Sequence, residues 1–171
     1  MLAKFSKKML VAGVLSALSL SASAAVYPIN VSAISVGSHT YAYDFTINAG
    51  EVGSLTGKID SFFRSNGANK VSGFDITDIL LSAGTLTKSD SESVTPLVGA
   101  RTLTADSFTF LNSSLAAGTY TLTVLGTSYS SNASFTGGFE VVTSPVPEPQ
   151  TTGMIALGLG LIGLISLRKK Q

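Results

Sequence analysis

Two uncharged apolar runs, one near each end of the chain and each bordered by basic residues, confine whatever folds in water to the stretch between them. The first is Met9 to Leu20 (MLVAGVLSALSL), preceded by Lys4, Lys7 and Lys8 and followed by the small residues Ser21-Ala-Ser-Ala-Ala25. A positive leader, an apolar run of about a dozen residues and small residues at the −3 and −1 positions define a secretory signal peptide. A permanent membrane anchor would need about 20 apolar residues, which this run does not supply. Cleavage is expected after Ala24, with Ala25 as the alternative, by signal peptidase after passage through the Sec translocon.

The second run, Gly153 to Leu167 (GMIALGLGLIGLISL), belongs to a three-part tail. Ahead of it stands Pro145-Val-Pro147-Glu148-Pro149, which is stiff and extended, because each proline fixes its own φ and biases its predecessor away from helix. Behind it stand Arg168, Lys169 and Lys170. The positive-inside rule keeps that cluster cytoplasmic and leaves the Pro-Glu-Pro segment on the outer face. At 15 residues the run is marginal for a span,. Its glycines suit close packing against another membrane helix. The expected element is a single transmembrane helix over residues 153–167 that holds the protein in the membrane until it is processed.

Pro147-Glu148-Pro149, the Gly/Leu-rich span and the basic end together resemble the PEP-CTERM sorting domain of Gram-negative, biofilm-forming bacteria. The resemblance covers residues 147–171. It implies an exosortase as partner, a polytopic membrane enzyme for which Pro147, Glu148 and Pro149 are the recognised residues of a substrate. The Leu-Pro-x-Thr-Gly signal of Gram-positive sortases is absent from the sequence.

Between the two runs the charge balance changes sign. All ten acidic residues lie there, against Lys58, Arg64, Lys70, Lys88 and Arg101, leaving a net charge of −5 where the whole chain carries +1. Nucleic acid requires a basic face, so the middle region is not expected to bind it. Without cysteine, neither a disulfide nor a thiolate site is available,.

The middle region alternates with a period of two. Tyr41, Tyr43, Phe45 and Ile47 alternate with Thr40, Ala42, Asp44 and Thr46, and Tyr120, Leu122 and Val124 alternate with threonines. Residues two apart on a strand share a face. Further strands are expected at Val31–Val36, Val52–Asp60, Val71–Leu81, Arg101–Phe110 and Phe135–Val142, with one helical turn over Ser113–Ala117. Short strands separated by Asn/Gly/Ser clusters argue for an all-β domain, an antiparallel β-sandwich or jelly roll. The expected order is therefore a signal peptide (1–24), a secreted β-domain (25–144) and a sorting signal (145–171). The expected core is Tyr43, Phe45, Ile59, Phe74, Ile76, Leu103, Phe108, Phe110, Leu115, Tyr120, Leu122, Val124, Phe139 and Val141. Leu115-Ala-Ala-Gly118-Thr-Tyr120 has the spacing of a tyrosine corner. The segment LAAGTYTLTVLGT also resembles the small FxDxF family of PEP-CTERM proteins, whose naming motif is approached at residues 41–45 (YAYDF) and 104–108 (TADSF). That resemblance implies a secreted surface or matrix protein.

Residues for catalysis are sparse. His39 is the sole histidine, and no G-x-S-x-G elbow accompanies it,. A zinc site would need several His or Cys ligands. Asp75 with Asp78, and Asp90 with Glu92 on an expected loop, are pairs with the right oxygens for calcium, but neither spacing closes a coordination sphere. No catalytic residue, metal site or cofactor is therefore assigned, and the chain is expected not to be an enzyme. Tyr27, Phe62, Phe63 and Tyr129 lie in or beside polar segments and could stack on sugar. Asn30, Asn112 and Asn132 begin N-x-S patterns, and exposed Ser and Thr offer O-glycosylation sites,. The expected role is structural or adhesive within an exopolysaccharide matrix at the cell surface, with a carbohydrate-binding module for that exopolysaccharide as the alternative.

Overall fold

The computed structural model describes residues 21–146 and 153–160. Eight strands follow one another: β1 (Ser23–Ile34), β2 (Gly37–Ile47), β3 (Glu51–Asn66), β4 (Asn69–Leu81), β5 (Thr87–Pro96), β6 (Arg101–Leu115), β7 (Gly118–Ser128) and β8 (Ala133–Pro145). Every ladder is antiparallel. The all-β expectation holds, but the strands make one connected, curled sheet rather than two separate ones. β3 pairs with β6 on one side and with β8, then β4, on the other. β5 extends that flank beyond β6, and β1 extends it beyond β8.

The curl turns on β4. Its residues Asn69–Gly73 pair with β3, and from Phe74 onward it pairs with β7, which in turn pairs with β2. One strand thus belongs to both flanks, and the sheet folds over its own inner face. Gly73 marks the corner with a φ of +92°, a conformation that costs an L side chain energy,. Its N–H donates to Ser130 Oγ at 3.1 Å, and its carbonyl accepts from the Tyr129 N–H at 2.9 Å. The β7–β8 connection therefore holds the corner.

Alternation decides which side chains enter the core. On β7, Tyr120, Leu122 and Val124 are buried while the threonines between them are partly exposed. They face Phe45 and Ile47 of β2, Ile59 of β3, Phe110 of β6 and Phe139 of β8 in one cluster. Aromatic contacts join the flanks: Phe135 stacks on Phe74 at 5.0 Å, and Phe139 lies 5.7 Å from Phe45. Of the expected core, only Tyr43 and Leu103 are less than fully buried. Ile29, Ile34, Ile47, Leu55, Ile79, Leu81 and Phe135 join it.

Two local expectations are corrected. Ser113–Ala117 form no helical turn: β6 runs to Leu115, whose side chain seals the core. Residues 88–92 are not a loop but part of β5, a strand exposed along its whole length. A strand that buries nothing shows no hydrophobic period, so its pairing with β6 was invisible to patterning. Residues 153–160, the described part of the expected span, are helical. No described helix is long and apolar enough to cross a membrane. The remainder of the expected 153–167 span, and the signal peptide up to Leu20, lie outside the described residues.

The tyrosine corner is present. Tyr120 Oη donates to the Ala116 carbonyl at 2.9 Å, tying the start of β7 to the preceding turn. Tyr120→Phe should lower stability by about 1 kcal/mol, the net worth of one such bond. Thermal unfolding of the processed protein should then drop by about 2–4 °C.

Candidate functional site

The start of β1 and the end of β8, which adjoin the two expected processing segments, lie side by side at one pole of the β-domain. Antiparallel pairing places Ser23 opposite Thr143, Ala24 opposite Val142 and Ala25 opposite Val141. The expected signal-peptide cleavage residues therefore sit on β1 beside the last turns of β8. A cut after either alanine leaves Val26 paired with Glu140.

β8 carries this order almost to the sorting residues. Pro145 is opposite Glu51, and the Val146 N–H donates to the Gly50 carbonyl at 2.8 Å. Pro147 is the next residue in the chain, so no spacer separates the folded domain from the tripeptide. Pro147, Glu148 and Pro149 themselves lie outside the described residues.

Around this junction the pole is built from turns without charge. Residues 48–50, 82–86, 113–117 and 143–146 contain no Asp, Glu, Lys or Arg. Glu51 borders them, and its carboxylate accepts from the Asn48 N–H at 3.3 Å and the Asn48 side-chain amide at 3.1 Å. Ser82 N–H donates to the Thr121 carbonyl, and Asn112 Nδ2 donates to the Thr85 carbonyl, so these turns are pinned to their neighbours. Three of the five basic residues of the middle region gather at the opposite pole: Arg64, Lys70 and Arg101 lie on paired strands around the β3–β4 turn.

The other sequence-derived candidates are not brought together. His39 Nε2 hydrogen-bonds the Ser35 carbonyl at 2.8 Å, and its ring stacks against Tyr41 at 6.1 Å. Asp75 and Asp78 are separated by an irregularity in the β4–β7 register and point to different lysines. Lys70 Nζ meets Asp75 Oδ2 at 2.6 Å, and Lys88 Nζ meets Asp78 Oδ1. The Lys88 ammonium holds the Asp78 carboxyl below its ordinary range against the opposing effect of burial. A carboxylate committed to an ammonium is a poor cation ligand, and no cluster of three or more potential metal ligands occurs among the described residues. Asp90 and Glu92 stand exposed on β5.

The aromatic candidates also scatter. Phe63 is buried at 3% exposure, with Lys70 Nζ 4.3 Å from its ring centre, so it offers no sugar platform. Phe62, at 58%, faces solvent. Tyr27 stacks on Phe139 at 4.6 Å, and Tyr129 Oη donates to Asp75 Oδ2 at 3.4 Å. A shallow trough of about 580 Å³ does cross the outer face of the larger flank. One row of paired residues lines it, Val26, Glu140, Thr56, Leu111 and Thr87, with Lys58 alongside. Gly138 leaves the floor open beside Lys58. Lys58 pairs with Asp60 at 2.7 Å.

One buried group escaped the sequence reading. Asp106 on β6 is 1% exposed, and its Oδ2 accepts from the Ile76 N–H at 2.9 Å and from Ser61 Oγ at 3.3 Å. Its Oδ1 has no partner. Burial, aided by the charges of Asp90 and Asp75 and opposed by the two hydrogen bonds, pushes its carboxyl up to about 6. Alternation along β6 places residue 106 on the inner face with Phe108 and Phe110, a position where an apolar residue would be expected.

Comparison with known proteins locates similarity in the tail. A family model described as the PEP-CTERM protein-sorting motif matches residues 145–170. The match does not reach the segments that resemble the FxDxF family. No curated protein and no solved structure matches the chain.

Proposed function

We propose that the chain is exported to the bacterial envelope or surface and processed by an exosortase, as the sorting-motif match at residues 145–170 implies, and that its β-domain is a structural or adhesive component of the extracellular matrix rather than an enzyme. The sorting motif at residues 145–170 carries this reading, because it delivers a compact domain to the surface. The domain's character supports it. Thr119, Thr121, Thr123 and Thr127 of β7 and Ser107 and Thr109 of β6 face outward, and Asp75 and Asp78 are each paired with a lysine. A Gram-negative host with an exopolysaccharide matrix is part of the same proposal, as are signal peptidase and the Sec translocon as earlier partners. A second reading, a carbohydrate-binding module, is favoured by the trough beside Thr56 and Lys58, which is long enough to cross five strands.

Intact-mass and C-terminal peptide mapping of the protein from its native host tests the proposal. The released fraction should end near Pro147–Pro149 and lack Gly153–Gln171, and Glu148→Ala should leave the full-length form in the membrane fraction. A protein found only in the membrane with Gln171 intact would reduce the tail to a plain anchor. Retention of the released form by the host's exopolysaccharide, competed by soluble polysaccharide, would favour the second reading over a purely structural role.

A further inference from the structure

The β-domain stops where the sorting signal starts, and this has a steric consequence. Val146 is still hydrogen-bonded to Gly50, and the next three residues are the recognised ones. At no more than about 3.6 Å per extended residue, Pro149 can lie only about 11 Å from Val146. An enzyme that encloses Pro147–Pro149 must therefore meet the turns surrounding Val146, or pull the end of β8 out of the sheet. Extraction of more than the last few residues is costly, because up to Glu140 β8 is paired with β1 on one side and β3 on the other.

We propose that the pole formed by turns 48–50, 82–86 and 113–117, together with Pro145–Val146, is a docking surface for the outer face of the exosortase. The enzyme reads the tripeptide with the folded domain pressed against it. This rests on the exosortase reading above.

The composition of the pole fits that occupant. Its turns carry Asn, Ala, Gly, Ser and Thr, with Leu86 and Val146, while Leu115 faces the core. Small side chains allow a second protein surface to approach closely without burying an unpaired charge. Glu51, the carboxylate that borders these turns among the described residues, is held by Asn48. A pole built to rest on anionic lipid headgroups would carry lysines and arginines, whereas here Arg64, Lys70 and Arg101 are at the far end. The contact need last only as long as processing, for which a small, neutral patch is adequate.

The test is a processing time course in the native host with the full-length chain, following conversion of the membrane form to the released form. Ala49 and Ala117 are exposed on the pole, and Ala68 and Ala100 are exposed at the opposite end. The double variant Ala49→Arg/Ala117→Arg should be processed at least tenfold more slowly, while Ala68→Arg/Ala100→Arg, with the same added charge, should match the parent. Eight Gly/Ser residues inserted between Val146 and Pro147 should restore the rate of the slow variant by moving the pole away from the enzyme. Unchanged thermal unfolding of the isolated membrane forms verifies that both variants fold.

Normal processing of Ala49→Arg/Ala117→Arg, with Glu148→Ala blocked, overturns the docking surface and leaves the sorting reading intact. A slowed variant that the insert fails to rescue also overturns it, since the defect is then not one of proximity. Faster processing of Ala49→Arg/Ala117→Arg overturns it in favour of lipid headgroups as the occupant. Normal processing of Glu148→Ala removes the exosortase reading itself.

Discussion

Gly73→Ala is expected to lose about 4 kcal/mol of stability, enough to depopulate the native domain under mild denaturant. Two independent penalties combine at this residue. Its φ of +92° is unfavourable for any residue with a Cβ, costing about 1–3 kcal/mol,. An added Cβ would also sit 2.1 Å from the Phe62 carbonyl oxygen and 2.7 Å from the Phe63 Cα. Both are backbone atoms of β3 that cannot rotate away, so relief requires parting the β3–β4 ladder at the corner, an overpacking cost of about 1–3 kcal/mol. A typical domain has only about 5–15 kcal/mol in hand. Urea unfolding of the processed protein should show the midpoint collapse. Gly67→Ala provides the contrast: it too has a positive φ, but nothing lies within 4 Å of its added Cβ. It should lose only about 1 kcal/mol. Equal losses at the two glycines would mean that the corner is not sterically closed.

Asp106→Asn is expected to stabilise the protein at neutral pH and to do nothing in acid. The folded domain holds this carboxyl at about 6 against an ordinary value of 3.8. Folding therefore favours the protonated form. Below about pH 4 both folded and unfolded chains carry the proton, and the group's contribution is at its best. As pH rises through 4 to 6 the unfolded chain ionises first and stability falls. Above about pH 7 the whole difference is lost, roughly 3 kcal/mol for a shift of this size. The carboxamide is nearly isosteric with the protonated acid and can accept from the Ile76 N–H as Oδ2 does now,. Its advantage should be about 2 kcal/mol at pH 7.5, or about 5–8 °C in thermal unfolding, and should vanish near pH 4. Asp90 on β5 and Asp75 on β4 are the acidic neighbours that add to the rise, while the Ile76 N–H and Ser61 hydroxyl oppose it. A gain that is the same at pH 4 and pH 7.5 would show that Asp106 stays ionised when buried.

These two residues mark where pattern reading stopped. Asp106 appears in TADSF as one more polar residue, and only its inward parity on β6 makes it a buried charge. Gly73 appears as one glycine among many until the ladders show β4 changing partners there. β5 buries no face and so shows no period, and Phe62 and Phe63 share one polar neighbourhood in the sequence, whereas adjacent residues on a strand face opposite ways and only Phe62 reaches solvent,.

Features encoded in contiguous residues were legible from the chain alone: the Pro-Glu-Pro tail, the period-two strands β2 and β7, and the Tyr120 corner, whose hydrogen bond spans four residues. Their physics is local, since periodicity, φ restriction and turn chemistry act within a few positions. The choice of strand partners was not legible. That β1 lies against β8, and that β4 leaves β3 to pair with β7, depend on pairings between residues some 40 to 120 positions apart. Backbone hydrogen bonds are the same for every strand, so such pairings are selected by how whole inner faces pack together, as Phe135 does on Phe74 and Phe139 against Phe45,.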